Sequence, residues 1–359
     1  MAAIPTAAAD ITPAWLTDVL GVEVVSVDAQ DLGTGLGLLG EVARLRPTYA
    51  AGPEAGPARL IAKVQSPAAE NAFVAQVMGF YAREVNFYRS VGAAAGVRVP
   101  ACFHADIDDA GAPFVLLLEE ITGARVVDQI VGATRDDAER VVDLAVRLHS
   151  SFWDNDALAA LDWLPAMNTP LNFLAGDMAV AKEPAFLDHW TGNLPAGSIE
   201  FVQALTPHYR DLLEWWVEQG HPTYAHTDFR ADNILFGGSA GDGAVTLLDW
   251  QLSTKGVGVW DVANFLAASV TTEHRREWED DLLRRYHDGL VAAGVAGYDW
   301  DRCWRDYRFS IAQQAWSTLP MGDFDPGNDR GRQLLDVITP RYHFAARDLG
   351  ADDLLDVFR

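Results

Sequence analysis

The sequence predicts an α+β fold in two parts: a small strand-rich N-terminal region, then a larger and mostly helical C-terminal region. Three observations point to it. Valine-rich, partly alternating stretches cluster ahead of Glu120. From Thr134 onward the apolar residues recur at helical spacing over long segments. The stretch YAHTDFRADNILFGGSAGDGAVTLLDW, from Tyr224 to Trp250, then interrupts the helices with two apolar runs around a glycine-rich turn.

Taken in order, VEVVSVDAQDL (Val22 to Leu32) reads as a strand, and GEVARLRPTY and ARLIAKV read as two more. The prolines and glycines of RPTYAAGPEAGPAR join them as a loop. Residues 69–90 contain no proline and one glycine, and Phe73, Val77, Phe80, Tyr81, Phe87 and Tyr88 fall at broadly helical spacing, so one helix is expected there. APFVLLLEEI (Ala112 to Ile121) is a short apolar run ending in two carboxylates, which suits a buried strand reaching an edge. In the second part, Thr134 stands three residues before Asp137, an acidic variant of the capping box, and opens a helix to Trp153. Further helices are expected over 198–218, 275–293, 301–318 and 333–348. AVTLLDW should be a strand. The division falls near Glu120, giving domains 1–119 and 120–359.

A chain of 359 residues, 49% hydrophobic and 22% charged, has enough apolar material for two cores. The formal net charge of -24 argues against nucleic acid or an anionic membrane surface as partner. It is compatible with cationic substrates and equally with a well-solvated surface. Two cysteines, Cys102 and Cys303, far apart in sequence, make neither a disulfide framework nor a cysteine-based zinc site and suit a reducing cytoplasm. The N-terminus has no basic region and reads as neither signal peptide nor anchor. No stretch approaches the roughly 18 to 20 apolar residues of a membrane span. Nothing in the sequence sets an oligomeric state.

Five features carry chemistry, each with an ordinary structural reading beside it. His226, Asp228 and Asn233 have the spacing H-x-D-x-x-x-x-N. Phosphoryl transfer needs a carboxylate at the acceptor hydroxyl and oxygen ligands for a metal ion, and this loop holds both, although a loop with Asp and Asn is commonly only a turn. Asp249 ends an apolar strand 21 residues after Asp228, placed for a metal or simply capping the next turn. Lys63 lies in an apolar strand, either at a solvent edge or held by Glu84, 21 residues on, so that its ammonium can meet nucleotide phosphates. Gly35, Gly37 and Gly40 match G-x-G-x-x-G. A dinucleotide-binding fold would open a helix here, whereas EVARLRPTY reads as a strand, so a glycine hairpin over phosphates fits better. Asp261 reads as a helix cap, with a brace for the loop as a second role.

In their order along the chain these pieces resemble the aminoglycoside phosphotransferase and choline kinase group. AHTDFRADNILF and TLLDWQLSTKGVGVWDVANFL carry the resemblance, which covers Leu32 to Leu266 and lies nearest the ecdysteroid-kinase-like branch. It implies a two-lobed protein-kinase-like fold, with a small antiparallel-sheet N-lobe carrying one helix. It also implies transfer of a phosphoryl group from ATP to a hydroxyl of a small molecule, such as an aminoglycoside, aminosugar or other alcohol. Asp228 would be the catalytic carboxylate, and Asn233 and Asp249 the Mg²⁺ ligands. Lys63 would bind phosphate with Glu84 as its partner, and the backbone from Leu118 to Ile121, including Glu119, would receive the adenine. His226 would be structural. The family often has glycine where this chain has Thr227. Arg230 would neutralise phosphate charge or stand solvated, and a share of Asp232 in the metal is left open. The acidic loop MGDFDPGND (Met321 to Asp329) would face a cationic acceptor or only solvent, and the tryptophans from Trp163 to Trp316 would be core or acceptor wall. Two other readings compete: a metal hydrolase built on His226, Asp228 and Asp249, which would need a further histidine or carboxylate cluster, and a nucleotide-binding pseudokinase.

Overall fold

The computed structural model describes residues 3–32, 39–219 and 221–358. The chain forms two compact units, residues 1–125 with 236–252, and residues 126–235 with 253–359.

The first unit begins with α1 (Pro13–Leu20), a helix beyond those expected from the sequence, which Thr12 caps by accepting the Trp15 N–H. Strands β1 (Val24–Asp31), β2 (Gly40–Tyr49) and β3 (Leu60–Gln65) follow. Next come helices α2 (Ala69–Val77) and α3 (Phe80–Ser90), then strands β4 (Cys102–Ile107) and β5 (Phe114–Glu119). The five strands form one antiparallel sheet in the order β1-β2-β3-β5-β4. Alternation along β3 explains its layering. Leu60, Ala62 and Val64 are buried with Trp15 and Leu16 of α1, while Ile61 packs on the other face with Tyr81 and Val85 of α3. Lys63 points to that second face.

The single helix expected over 69–90 is two. Gly79 adopts a left-handed φ of 70°, which a residue without Cβ takes at no steric cost, and α2 ends there. The break turns α3 so that Tyr81, Glu84, Val85 and Phe87 are buried, while Phe73 and Val77 of α2 stay exposed.

After β6 (Arg125–Val126) the second unit opens with α4 (Arg135–Phe152), whose Thr134–Asp137 capping box forms as the sequence predicts. Helices α5 (Asp156–Ala159), α6 (Pro170–Val180) and α7 (Glu183–Trp190) follow. The helix expected over 198–218 is divided into α8 (Ser198–Leu205) and α9 (Tyr209–Gln219), because Pro207 lacks the N–H that would continue it. Strand β7 (Pro222–Ala225) leads to β8 (Ile234–Phe236), where the chain re-enters the first unit and makes β9 (Val245–Leu247). It returns through β10 (Thr254–Val257) to α10 (Val259–Ser269), α11 (Thr272–Ala292), α12 (Trp300–Trp316) and α13 (Asp329–Asp348). Strands β7 and β10 pair antiparallel, and α4 packs on both β7 and α11. Helix α10 is buried all round, between α12 and α13. Trp190, Trp216, Trp278 and Trp316 are core residues. Among the described residues no helix is long and apolar enough to cross a membrane.

Candidate active site

The first unit gathers three of the residues singled out in the sequence. The Lys63 Nζ donates to Glu84 Oε1 at 2.7 Å and approaches Asp249 Oδ1 at 3.5 Å. Strand β3 presents the lysine and α3 the glutamate, while Asp249 arrives two residues past the end of β9. Burial alone would lower the Lys63 pKa. The Asp249 and Glu84 carboxylates outweigh burial and raise it, so the ammonium stays charged. Asp249 has a left-handed φ of 62°, a conformation its short polar side chain tolerates. It also accepts from Gln251 Nε2 at 3.2 Å. Trp250, fully buried, stacks on Phe87 of α3 with ring centroids 3.7 Å apart, which fixes the chain beside Asp249.

Gly40 is the first residue of β2, while Gly35 and Gly37 lie outside the described residues. At the end of β5 the Glu119 N–H donates to the Ala101 carbonyl at 2.8 Å, and its carboxylate takes the Arg98 guanidinium at 2.5 Å. Among the described residues the Ile121 N–H has no acceptor.

The second unit carries the H-x-D-x-x-x-x-N loop. Thr227 has a left-handed φ of 65°, which reverses the chain between the buried His226 and Asp228. The carboxylate of Asp228 is held on both oxygens: Oδ1 accepts from Arg230 Nε at 2.8 Å and Oδ2 from Asn233 Nδ2 at 2.7 Å. Asn233 Nδ2 also donates to the Asp228 carbonyl at 2.9 Å. With its amide nitrogen spent on Asp228, Asn233 keeps its oxygen as a hard donor, the kind a magnesium ion takes. Burial would raise the Asp228 pKa, but Arg230, then His226 and the two hydrogen bonds, outweigh it and hold the carboxyl below its ordinary value. The carboxylate is therefore ionised at neutral pH.

Asp261 does not cap its helix. It lies in the first turn of α10, and the N-cap, Gly258, makes no side-chain bond. The Asp261 carboxylate is fully buried beneath the loop, where it accepts the His226 N–H on Oδ2 and the Thr227 N–H on Oδ1, both at 2.8 Å. His149 of α4 meets the same Oδ2 at 3.1 Å and meets the Tyr286 hydroxyl of α11 at 2.9 Å. A Cβ on Gly258 would stand 2.6 Å from that hydroxyl, so the close approach requires glycine. From α13, Tyr342 donates to Asn264 Oδ1 at 2.5 Å, and Asn264 Nδ2 donates to the Thr227 carbonyl at 3.2 Å. None of His149, Tyr286, Asn264 and Tyr342 is among the candidate site residues expected from the sequence. The spacing of Asn264 three residues after Asp261, on one helix face, was the available signal.

Arg230 pairs with Asp228 and, through Nη1, with Asp232 Oδ2 at 2.8 Å, its side chain 30% exposed. In the acidic loop Asp323 pairs with Lys182, and Asp325 and Asp329 share Arg332, all in exposed ion pairs, as the solvated reading expects. Among the described residues no group of three or more His, Cys, Asp or Glu side chains is placed to hold a metal ion, so the cluster the hydrolase reading required is not found there.

A five-stranded antiparallel sheet with α3 on one face, joined in one chain to a helical unit bearing this loop, defines the two-lobed protein-kinase-like class of phosphotransferases. The chain belongs to the phosphotransferase enzyme family, whose sequence profile matches residues 43–303. It is an enzyme of that family, a phosphotransferase. Its fold is similar to that of the microcompartment-associated aminopropanol kinase, at 14% identity over 92% of this chain and 94% of that one, with a TM-score of 0.53. It is also similar to the GDP and kanamycin complex of APH(2″)-IIIa, at 11% identity over 89% and 95%, with a TM-score of 0.51. Choline kinase LicA from Streptococcus pneumoniae matches at 16% identity over 94% and 96%, with a TM-score of 0.50. No curated protein sequence matches the chain.

Proposed function

We propose that this phosphotransferase moves the γ-phosphoryl group of ATP to a hydroxyl of a small molecule, an aminoglycoside, aminosugar or other alcohol. The observation that carries the reading is the state of Asp228, ionised and held on both oxygens, with Asn233 turned toward it by its amide nitrogen.

In this reading Asp228 orients the acceptor hydroxyl and takes its proton as the oxygen attacks the γ-phosphorus. The bond to the β–γ bridging oxygen breaks, and ADP leaves with the electron pair. Asn233 and Asp249 supply oxygen ligands to Mg²⁺, which when bound spreads the charge of the phosphates. Lys63, kept charged by Glu84 and Asp249, meets the α- and β-phosphates. Gly35, Gly37 and Gly40 are assigned to the phosphates, and the backbone from Glu119 to Ile121, whose last N–H has no acceptor among the described residues, is assigned to the adenine. Nucleotide binding belongs to residues 1–119, and catalysis and acceptor binding to residues 120–359. The need for ATP and the two free thiols suit a cytoplasmic setting.

The test is Asp228→Asn, assayed with ATP·Mg²⁺ and, in parallel, GTP·Mg²⁺, against a panel of amino alcohols, aminosugars and aminoglycosides. Turnover should fall about 10²- to 10⁴-fold while nucleotide binding is kept. A variant as fast as wild type would overturn the assignment.

A further inference from the structure

We infer that Arg230 is a positioning residue for the proposed reaction: its guanidinium bridges Asp228 to Asp232 and Gln129 and sets the plane in which the Asp228 carboxylate meets the acceptor. The inference rests on the function proposed above.

The geometry is a two-sided clamp. One edge of the guanidinium gives Nε to Asp228 Oδ1 at 2.8 Å, while on the other side Asn233 Nδ2 holds Oδ2 at 2.7 Å. A carboxylate gripped on both oxygens from opposite sides cannot rotate about its χ2 bond, and the lone pair left on each oxygen has a fixed direction. The far edge of Arg230 is anchored as well. Its Nη1 meets Asp232 Oδ2 at 2.8 Å and Gln129 Oε1 at 3.5 Å. Gln129 is fully buried and is itself fixed, its amide nitrogen donating to the Ala268 carbonyl at 3.3 Å and its backbone carbonyl accepting from the buried Arg341 at 2.7 Å. The planar, rigid guanidinium thus transmits the position of a buried segment to the tip of Asp228. An ammonium on a flexible stem would bind one carboxylate or the other, not span both.

Arg230 is 30% exposed in its side chain, so its ion pairs add little to folding, and variants should stay folded. The experiment measures basal ATP·Mg²⁺ hydrolysis, with water as the acceptor, for wild type, Asp228→Asn, Arg230→Ala, Arg230→Lys and Asp232→Asn. Arg230→Ala and Arg230→Lys should both lose about 10- to 100-fold in kcat with KM for ATP and the Mg²⁺ requirement unchanged. Guanidinium chloride, well below denaturing concentration, should restore part of the Arg230→Ala rate and none of the Asp228→Asn rate. Asp232→Asn, which loosens only the far edge, should lose less. If Asp228→Asn is inactive while Arg230→Ala matches wild type, the positioning role fails and the proposed function stands. If the Arg230 variants instead raise KM for ATP at unchanged kcat, the arginine is a phosphate ligand and the inference is overturned. If Asp228→Asn is as active as wild type, the proposed function falls, and this inference with it.

Discussion

The Lys63 cluster and the Asp228 loop solve one problem, placing carboxylates against a cation away from bulk water, in opposite ways. The first is assembled from afar. Its lysine, glutamate and aspartate come from a strand, a helix and a strand end, with 186 residues between Lys63 and Asp249. The second holds its carboxylate locally, since Arg230, Asp232 and Asn233 lie within five residues of Asp228, while Asp261, Asn264 and Gln129 brace the loop from a distance. A long-range cluster is set by the fold and depends on charge balance. A local loop is set by its own turn and depends on what holds its backbone.

The largest effect should come from breaking the balance of the first. Lys63→Met removes the only cation that Glu84 contacts among the described ion pairs, and it removes the proposed phosphate donor. ATP turnover should drop about 10²- to 10³-fold. Stability should also fall, by about 3 kcal/mol, because a buried carboxylate is left unpaired. The double variant Lys63→Met, Glu84→Gln separates the two consequences. Urea unfolding should recover most of the lost stability, while turnover stays low. Recovered turnover would mean that Lys63 serves only to neutralise Glu84.

The brace is next. Asp261→Ala takes the acceptor from two buried backbone N–H groups, at about 1 to 3 kcal/mol each. We expect a loss of about 3 kcal/mol in urea unfolding together with a fall in turnover. Unchanged stability would show that water or His149 replaces the carboxylate.

The contrast between local and distant also explains what could be read from the sequence. The H-x-D-x-x-x-x-N loop, the strand of Gly40–Tyr49 and the Thr134–Asp137 capping box are written in neighbouring residues. The pairing of Lys63 with Glu84 was legible through the order of motifs in a resembling family. Helices α6 and α7 were not read. Leu171, Leu174 and Met178 of α6 are exposed, so its apolar residues do not mark a face toward the core, and proline at the first helical positions resembled a loop. The return of residues 236–252 to the first unit is a long-range event that no local pattern records. Of the two roles expected for Asp261, the brace is present and the cap is not, and neighbouring residues alone could not separate them, because its partners, the His226 and Thr227 N–H groups, lie 35 and 34 residues away.

A third carboxylate is buried with no cation at hydrogen-bond distance. Asp306 of α12 is 1% exposed, like Glu84, but its arginines stand off, Arg305 at 3.6 Å and Arg302 at 3.8 Å. Burial pushes its carboxyl up to about 6, from an ordinary 3.8. A raised carboxyl pKa means that the folded state favours the proton. The contribution to stability is full below pH 3.8 and is lost as pH rises through about 6. Asp306→Asn, a stand-in for the neutral acid, should therefore match wild type near pH 4 and exceed it by about 2 kcal/mol near pH 7.5. Chemical unfolding at the two pH values checks this. An equal difference at both would mean that Arg302 or Arg305 pairs with Asp306 in solution.

The smallest effect compares the two regions at one backbone angle. Each contains one residue other than glycine in the left-handed region, Asp249 at φ 62° and Thr227 at φ 65°. Aspartate visits that region readily, whereas a β-branched threonine meets its own carbonyl there, at a cost of roughly 1 to 2 kcal/mol. Glycine would remove this strain but loses more conformational entropy on folding, roughly 0.5 to 1 kcal/mol. Thr227→Gly should thus stabilise the protein by about 0.5 kcal/mol, and Asp249→Gly should bring no such gain, because it also removes a carboxylate from Lys63. The Asp261 brace should hold the loop in both wild type and Thr227→Gly, so turnover should change less than about threefold. A large rise in turnover on Thr227→Gly would mean that the strain tilts Asp228, and that the loop is set by residue 227 more than by the carboxylate beneath it.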